Sequence, residues 1–191
     1  MSKTHLIVLL VVCGVIIASS GCASDMVRVD YDKRIKTAFG QLQHGEPLLA
    51  LDNLQAAETI GQENDYNQTE IKHLLVETQL SLGNNTEAHN QAKKLLDTDP
   101  QDAYANELMG KVFLKNGQYD EAENYVIRAE KAYKADVDIS RAHDLVALSR
   151  YFSAYEQGNP RLAERYLREI QNPDLQNAVG EAEDDVLVKG S

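Results

Sequence analysis

The chain has 191 residues, of which 43% are hydrophobic and 26% are charged, and its formal net charge is −11 at pH 7. This composition fits one globular domain with a modest core, and it excludes collagen, a coiled coil and wholesale disorder. The acidic balance argues against nucleic-acid binding and against a broad basic membrane-binding surface. It favours a basic or neutral protein partner, or it serves solubility alone.

The first residues have the pattern of an export signal. Lys3 precedes an almost entirely apolar run over residues 6–18, and the small residues that follow lead to Cys22. At about 13 residues the run is shorter than the roughly 20 that a transmembrane helix needs, and no basic stop-transfer sequence follows it. The sequence therefore predicts a cleaved leader over residues 1–21.

The end of this leader carries a more specific pattern. Ser19-Ser20-Gly21-Cys22 resembles the lipobox of bacterial lipoproteins. The resemblance implies that Cys22 becomes the acylated N-terminus and that residues 22–27 are a lipidated tether; the alternative is an ordinary signal peptide with an incidental cysteine. By resemblance to enterobacterial lipoproteins, Ala23 rather than Asp after the cysteine implies an outer-membrane anchor facing the periplasm, with inner-membrane anchoring as the alternative.

The rest of the chain predicts helices and no strand. Capping patterns at Asn67, Asp99-Pro100 and Asn159-Pro160 mark helix starts, because their side-chain oxygens can accept the first backbone N–H groups. The predicted helices cover residues 28–44, 46–61, 68–82, 85–97, 101–116, 118–133, 139–157 and 160–171.

The last segment, residues 173–191, loses the helical period and gathers four acidic residues between Glu181 and Asp185. These features predict a flexible acidic tail. The alternative is that the apolar stretch 186–188 docks on a partner.

An internal repeat organises the helices. Gly83 and Gly117 are 34 residues apart, as are Ala88 and Ala122, and each lies between two amphipathic stretches. This period resembles that of the tetratricopeptide (TPR) family. The matching positions are Leu75, Gly83, Ala88 and Pro100 in the second unit, Met109, Gly110, Phe113, Gly117, Tyr119, Ala122 and Ala129 in the third, and Gly158 and Ala163 in the fourth.

The resemblance implies an all-α fold, a right-handed superhelical stack of about four TPR helix–turn–helix pairs (an α-solenoid) over residues 28–172. The units cover approximately 31–61, 68–98, 102–134 and 139–171. Gly158 follows Gly117 by 41 residues, so seven extra residues are expected in the stretch 131–141, as a longer helix or a wider turn.

Two glycines of the third unit have different predicted roles. Gly110 lies inside a helix, where Gly is less favourable than Ala by roughly 0.5–1 kcal/mol. We therefore expect it to permit close packing against Ala122 and Ala129. Gly117 is expected to end the helix in a turn with positive φ.

In this family the first helix of each pair lines a concave face that receives an extended peptide or a partner helix. The resemblance places the groove-facing positions at Ile35, Phe39, His73, Glu77, Tyr104, Glu107, Lys111, Leu148, Phe152 and Tyr155. Burial of Phe39 and Phe152 by neighbouring helices is an equal alternative.

No motif in the chain predicts catalysis, a cofactor or a metal site. The histidines after the leader are dispersed without metal-ligand spacing, and we expect neither catalytic residues nor a small-molecule substrate. His73, Glu77 and His89 are the only cluster that an enzymatic alternative could use.

The sequence therefore predicts a lipid-anchored interaction protein of the bacterial envelope. Its combination of lipobox and TPR units resembles the pilotin and assembly lipoproteins of type IV and tight-adherence pilus systems, which implies a secretin or pilus component as partner. The alternative is a scaffold for outer-membrane protein insertion or for cell-wall enzymes.

Overall fold

The computed structural model describes residues 25–180, which form nine helices joined by short turns and contain no strand. The all-α fold class is confirmed. The predicted leader at 1–21, Cys22 and residues 181–191 lie outside the described residues. The helices are α1 (25–43), α2 (Pro47–Glu63), α3 (Thr69–Ser81), α4 (Asn85–Thr98), α5 (Ala103–Lys115), α6 (Tyr119–Ala132), α7 (Asp136–Glu156), α8 (Pro160–Leu167) and α9 (173–180). Within this range, none of the helices combines the length and the apolar character of a membrane-spanning segment.

Turn and cap residues set the helix boundaries. Gly117 has a φ of +73°, a conformation that a side chain would disfavour, and it follows the last turn of α5. The Asn159 side chain accepts a hydrogen bond from the Leu162 backbone N–H and so caps α8. At α5 the true cap is Asp102, whose carboxylate accepts from Ala105, so the helix starts two residues later than predicted.

The chain divides into two compact units, Met1–Leu74 and Leu75–Ser191, with the boundary inside α3. In the described part of the first unit, α1, α2 and the start of α3 contribute the buried residues. Tyr31 donates a hydrogen bond from its hydroxyl to the Asn67 backbone oxygen at 2.6 Å. A Cβ on Gly61 would lie 3.0 Å from the Tyr31 ring, so a small residue is needed on this face of α2.

In the second unit each helix from α4 to α8 packs against the next along the chain. The small residues of the repeat pattern Ala88, Ala122, Ala129 and Ala163 are fully buried. A Cβ on Gly110 would lie only 2.3 Å from Val126 Cγ2 and 3.3 Å from the Ala122 backbone oxygen. Helices α5 and α6 are therefore close enough at this crossing that residue 110 has no room for a side chain.

The extra residues of the fourth unit do not lie in the stretch 131–141, and that prediction is corrected. Arg141 on α7 pairs with Glu107 on α5, exactly one 34-residue period earlier, so α7 begins in register. Helix α7 then has 21 residues against 13 for α5. The insertion is therefore a longer helix, and it extends the C-terminal end of α7.

The predicted tail also begins too early, because residues 173–180 form α9. The buried carboxylate of Asp144 accepts hydrogen bonds from the backbone N–H groups of Gln171, at 2.6 Å, and Asn172, at 3.1 Å. Asn172 in turn accepts from the N–H groups at the start of α9. Val179 then packs with Tyr151 of α7. Hydrogen bonds from backbone N–H groups to the side chains of Asp144 and Asn172 thus position α9. At eight residues, α9 is too short to be recognised from its apolar pattern in the sequence.

Candidate functional site

An open cleft of about 330 Å³ lies on the face formed by α3, α5 and α7 in the second unit. It brings together three of the predicted groove residues, Glu77, Lys111 and Leu148. The complete lining is Glu77, Leu80, Ser81, Lys111, Leu114, Lys115 and Leu148. Apolar side chains from three different helices thus line one depression together with charged side chains.

A buried charge cluster lies beside this cleft on the same helices. The Glu107 carboxylate is fully buried and contacts Lys111 Nζ at 2.7 Å and Arg141 Nη2 at 2.8 Å. The Tyr133 hydroxyl donates a further hydrogen bond to it at 2.7 Å. Glu107 was predicted to face the groove, and this is corrected: its side chain is enclosed because three donors converge on it from α5, α7 and the turn that joins α6 to α7.

The charge state of Glu107 follows from these partners. Burial alone would raise the pKa of the carboxyl group, but the hydrogen bond from Arg141 and the charge of Lys111 outweigh burial and lower the pKa. The carboxylate is therefore ionised at neutral pH. Arg141 is also held by Asp138, 2.8 Å from its Nη1 atom.

Tyr104 connects this cluster to α3. Its hydroxyl donates a hydrogen bond to Glu77 Oε2 at 2.9 Å, and its ring centroid lies 6.0 Å from the Arg141 guanidinium carbon. Burial first, and then the negative charge of Glu77, raise the pKa of the Tyr104 hydroxyl, so it stays a protonated donor. Residues from α3, α5 and α7 are thereby linked by directional contacts directly beside the cleft.

The aromatic residues of the predicted groove on α7 lie further along the helix. Phe152 is partly buried and stacks on Tyr119, with ring centroids 5.2 Å apart. Neighbouring helices therefore pack Phe152, as the alternative interpretation proposed. Tyr155 keeps 41% of its surface exposed.

Three predicted groove residues belong to the first unit, and the structure does not give them a common role. Ile35 is only 6% exposed and lies in the core of that unit, so its assignment to the groove is corrected. Its position on the inner face of α1 explains the burial. Phe39 is 49% exposed, and His73 is partly buried.

The residues of the enzymatic alternative have other partners. Glu77 accepts the hydrogen bond from Tyr104, and His89 packs edge-to-face on Phe113 with ring centroids 5.8 Å apart. His73 lies in the first unit. Within residues 25–180, no group of three His, Cys, Asp or Glu side chains could hold a metal ion.

Sequence reasoning missed Tyr133, Asp138 and Arg141. One signal was available for Arg141, because it lies 34 residues after Glu107 and has the opposite charge. Equivalent positions on successive first helices are neighbours, so complementary charges at one repeat period predict an ion pair. Tyr133 had no such signal because it lies in a turn.

A family model described as tetratricopeptide repeat matches residues 79–148, from the end of α3 into α7. The match supports a tetratricopeptide-repeat protein. Repeats of this family are non-catalytic scaffolds for protein interaction, and the matched TPR segment contains Lys111, Leu114, Lys115 and Leu148 of the cleft. No curated protein matches the chain.

Proposed function

We propose that this chain is a protein-interaction module and acts as an assembly or docking factor in the bacterial envelope. The observation that carries the proposal is the cleft on α3, α5 and α7, whose lining combines Leu80, Leu114 and Leu148 with charged groups. Binding sites of this kind take an apolar side chain in the depression and fix its direction by polar contacts at the edge.

The charge cluster supports this role by holding the cleft in one geometry. Glu107 joins α5 to α7, and the hydrogen bond between Tyr104 and Glu77 joins α5 to α3. A site whose walls are already ordered loses less conformational entropy when it binds. We therefore expect α3, α5 and α7 to keep their arrangement when a client segment binds.

The membrane anchor in this proposal is Cys22. Its context, Ser19-Ser20-Gly21-Cys22, is the lipobox pattern, and two or more acyl chains at about 0.8 kcal/mol per buried CH₂ hold a protein durably on a bilayer. Anchoring at the periplasmic face of the outer membrane raises the concentration of a captured client there. We propose neither catalysis nor a cofactor or small-molecule substrate for this chain.

Within the envelope, we propose a client from pilus or secretion machinery, such as a secretin or a pilus component. Support comes from the pairing of a lipobox with TPR helix pairs, which pilotin and pilus-assembly lipoproteins share. The second candidate is a scaffold for outer-membrane protein insertion or for cell-wall enzymes. An atypical enzyme is the least supported candidate, because Glu77 and His89 have other partners.

Crosslinking in intact bacteria tests the proposal. A photo-crosslinking amino acid replaces Ser81, an exposed residue of the cleft, and in a matched control it replaces Gln101, exposed but outside it. A secretin or pilus component captured from residue 81 and not from residue 101 is the expected result. A β-barrel insertase or a peptidoglycan enzyme would support the second candidate, and equal capture at both positions would refute a role for the cleft.

The anchor is tested separately with Cys22→Ser. We expect this variant to leave the outer-membrane fraction, because no acyl chain can be attached. If the variant remains in that fraction, the lipid anchor is wrong and the cleft proposal is unaffected.

A further inference from the structure

Helix α9 ends in an apolar cluster that also contacts one residue of the cleft. Val179, in its last turn, belongs to the apolar cluster of Tyr151, against which Leu148 also packs. Leu148 is at the same time part of the cleft lining. Leu148 thus belongs both to the cleft and to the apolar cluster that holds α9. We propose that residues 181–191 of this same chain occupy the cleft and compete there with the client; the proposal rests on the proposed function of that site.

The charges of the cleft match those of this segment. Lys111 and Lys115 stand on the α5 side of the cleft. Lys115 is exposed and has no ion pair with any residue of the range 25–180, whereas Lys111 contacts Glu107. The segment begins at Glu181, and four of its first five residues, 181–185, are acidic. In a chain with a net charge of −11, two neighbouring lysines beside apolar side chains are a specific attraction for such a run.

The apolar part of the segment matches the leucines of the cleft. Val186, Leu187 and Val188 directly follow the acidic run. The cleft offers Leu80, Leu114 and Leu148 from three helices, so alternating side chains of an extended segment can reach them. An acidic run followed by three apolar residues is thus complementary to a cleft lined by two lysines and three leucines.

The length of the segment is sufficient. Eleven residues span at most about 36–40 Å, while neighbouring packed helices lie about 8–10 Å apart. A short tether also keeps the effective concentration of the segment near 1 mM. If the segment binds with a dissociation constant of about 0.1 mM, it occupies the cleft in about 90% of the molecules. The apparent affinity of the cleft for a client segment is then about tenfold lower.

The test uses the full-length lipoprotein in its membrane. The photo-crosslinking amino acid p-benzoyl-phenylalanine replaces Leu187, and the crosslinked chain is digested with trypsin and analysed by mass spectrometry. We expect crosslinks within one chain to the peptides 73–93, 112–115 or 142–150, which carry Leu80, Leu114 and Leu148 of the cleft. Crosslinks only to other peptides would refute the proposal. A crosslinked dimer or a crosslink to a different protein would also refute it, because the occupant would then be a second copy or a partner.

Charge reversal makes the test specific. Lys115→Glu should reduce the crosslink about fivefold or more, and adding Asp184→Lys and Asp185→Lys to that variant should restore it. The matched control is Lys94→Glu, an exposed lysine on α4 outside the cleft, which should leave the yield unchanged. Equal yields in the Lys115 and Lys94 variants would overturn the charge argument and with it the proposal.

A second measurement separates this proposal from the proposed function. In the chain with the crosslinker at residue 81, the substitutions Val186→Ser, Leu187→Ser and Val188→Ser should raise client capture about tenfold, because the competing segment is weakened. Unchanged capture refutes the competition and leaves client binding intact. A missing client with a normal crosslink from residue 187 refutes the proposed function and leaves the occupancy of the cleft intact.

Discussion

Substitution of Gly110 by alanine tests the packing on which the repeat depends. The added methyl group would stand 2.3 Å from Val126 Cγ2, whereas ordinary contacts begin at 3.4 Å. Val126 is fully buried, and in a helix a β-branched side chain has one strongly preferred rotamer. Val126 therefore cannot turn away, and the strain must be taken up by a shift between α5 and α6.

Two opposing terms set the size of the effect. Overpacking a well-packed core costs about 1–3 kcal/mol, and replacing Gly by Ala inside a helix gains about 0.5–1 kcal/mol. The net loss of stability is therefore about 0–2.5 kcal/mol. For a chain of this size, each kcal/mol lost lowers the melting temperature by roughly 2–4 °C.

Gly40 provides a matched control for this substitution. It also lies within a helix, α1, and no atom would be within 4 Å of its Cβ. Gly40→Ala should therefore raise the free energy of unfolding by about 0.5–1 kcal/mol, since the higher helix propensity of alanine is gained without overpacking. Thermal and urea denaturation followed by circular dichroism measure both variants. If Gly110→Ala gains as much stability as Gly40→Ala, the close crossing of α5 and α6 is wrong.

Three further predictions concern the buried carboxylates. Glu107→Gln should lower the free energy of unfolding by about 1–3 kcal/mol in urea titrations, because Arg141 and Lys111 lose their shared anion but stay close to solvent. The pKa of Glu107 is lowered in the folded chain, so its stabilisation is present above the ordinary value of 4.5 and is lost as the pH falls through the folded pKa. The urea midpoint should drop below about pH 4.5, and Glu107→Gln should flatten that dependence. Asp144→Asn should lower the free energy of unfolding by about 1–2 kcal/mol and speed amide hydrogen exchange in α9. The reason is that asparagine has one acceptor oxygen in place of the two carboxylate oxygens that accept from the Gln171 and Asn172 N–H groups. Unchanged exchange in α9 would contradict the role assigned to Asp144.

The sequence predicted helix order and turns well because these depend on local chemistry. Positive φ at Gly117 and the cap at Asn159 are properties of a few neighbouring residues, and both appear in the structure. Gly110 was recognisable because an unfavourable residue inside a helix needs a packing reason, and its close neighbours were found on α6. Local preference and repeat period gave the same answer at these positions.

The site was less predictable because it depends on which groups meet across helices. A family pattern assigns Glu107 to the groove face by position alone, but three donors enclose its carboxylate. One of them, Tyr133, belongs to a turn that no helical period describes. Three of the predicted groove positions, Glu77, Lys111 and Leu148, are together in the lining of the cleft, because they lie on consecutive first helices.

The C-terminal extension of α7 explains why the folded part continues past the last predicted unit. The seven additional residues lengthen the helix by about 10 Å, or two turns, beyond the point where a regular repeat would end. This extension carries Tyr151 and Phe152, which a regular stack would leave partly uncovered. Tyr151 is instead 2% exposed because α8 and α9 pack around it.

Helix α9 covers this extension, and its packing there determines the position of residue 180, where the described part of the chain ends. Helix α9 can pack there only if residues 168–172 turn back toward α7, and the Asp144 carboxylate stabilises this turn through two backbone N–H groups. The same contact places Val179 in the cluster that includes Leu148. The lengthening of one helix therefore has two consequences: it requires a covering helix, and it places Val179, near the end of that helix, in the same apolar cluster as Leu148 of the cleft.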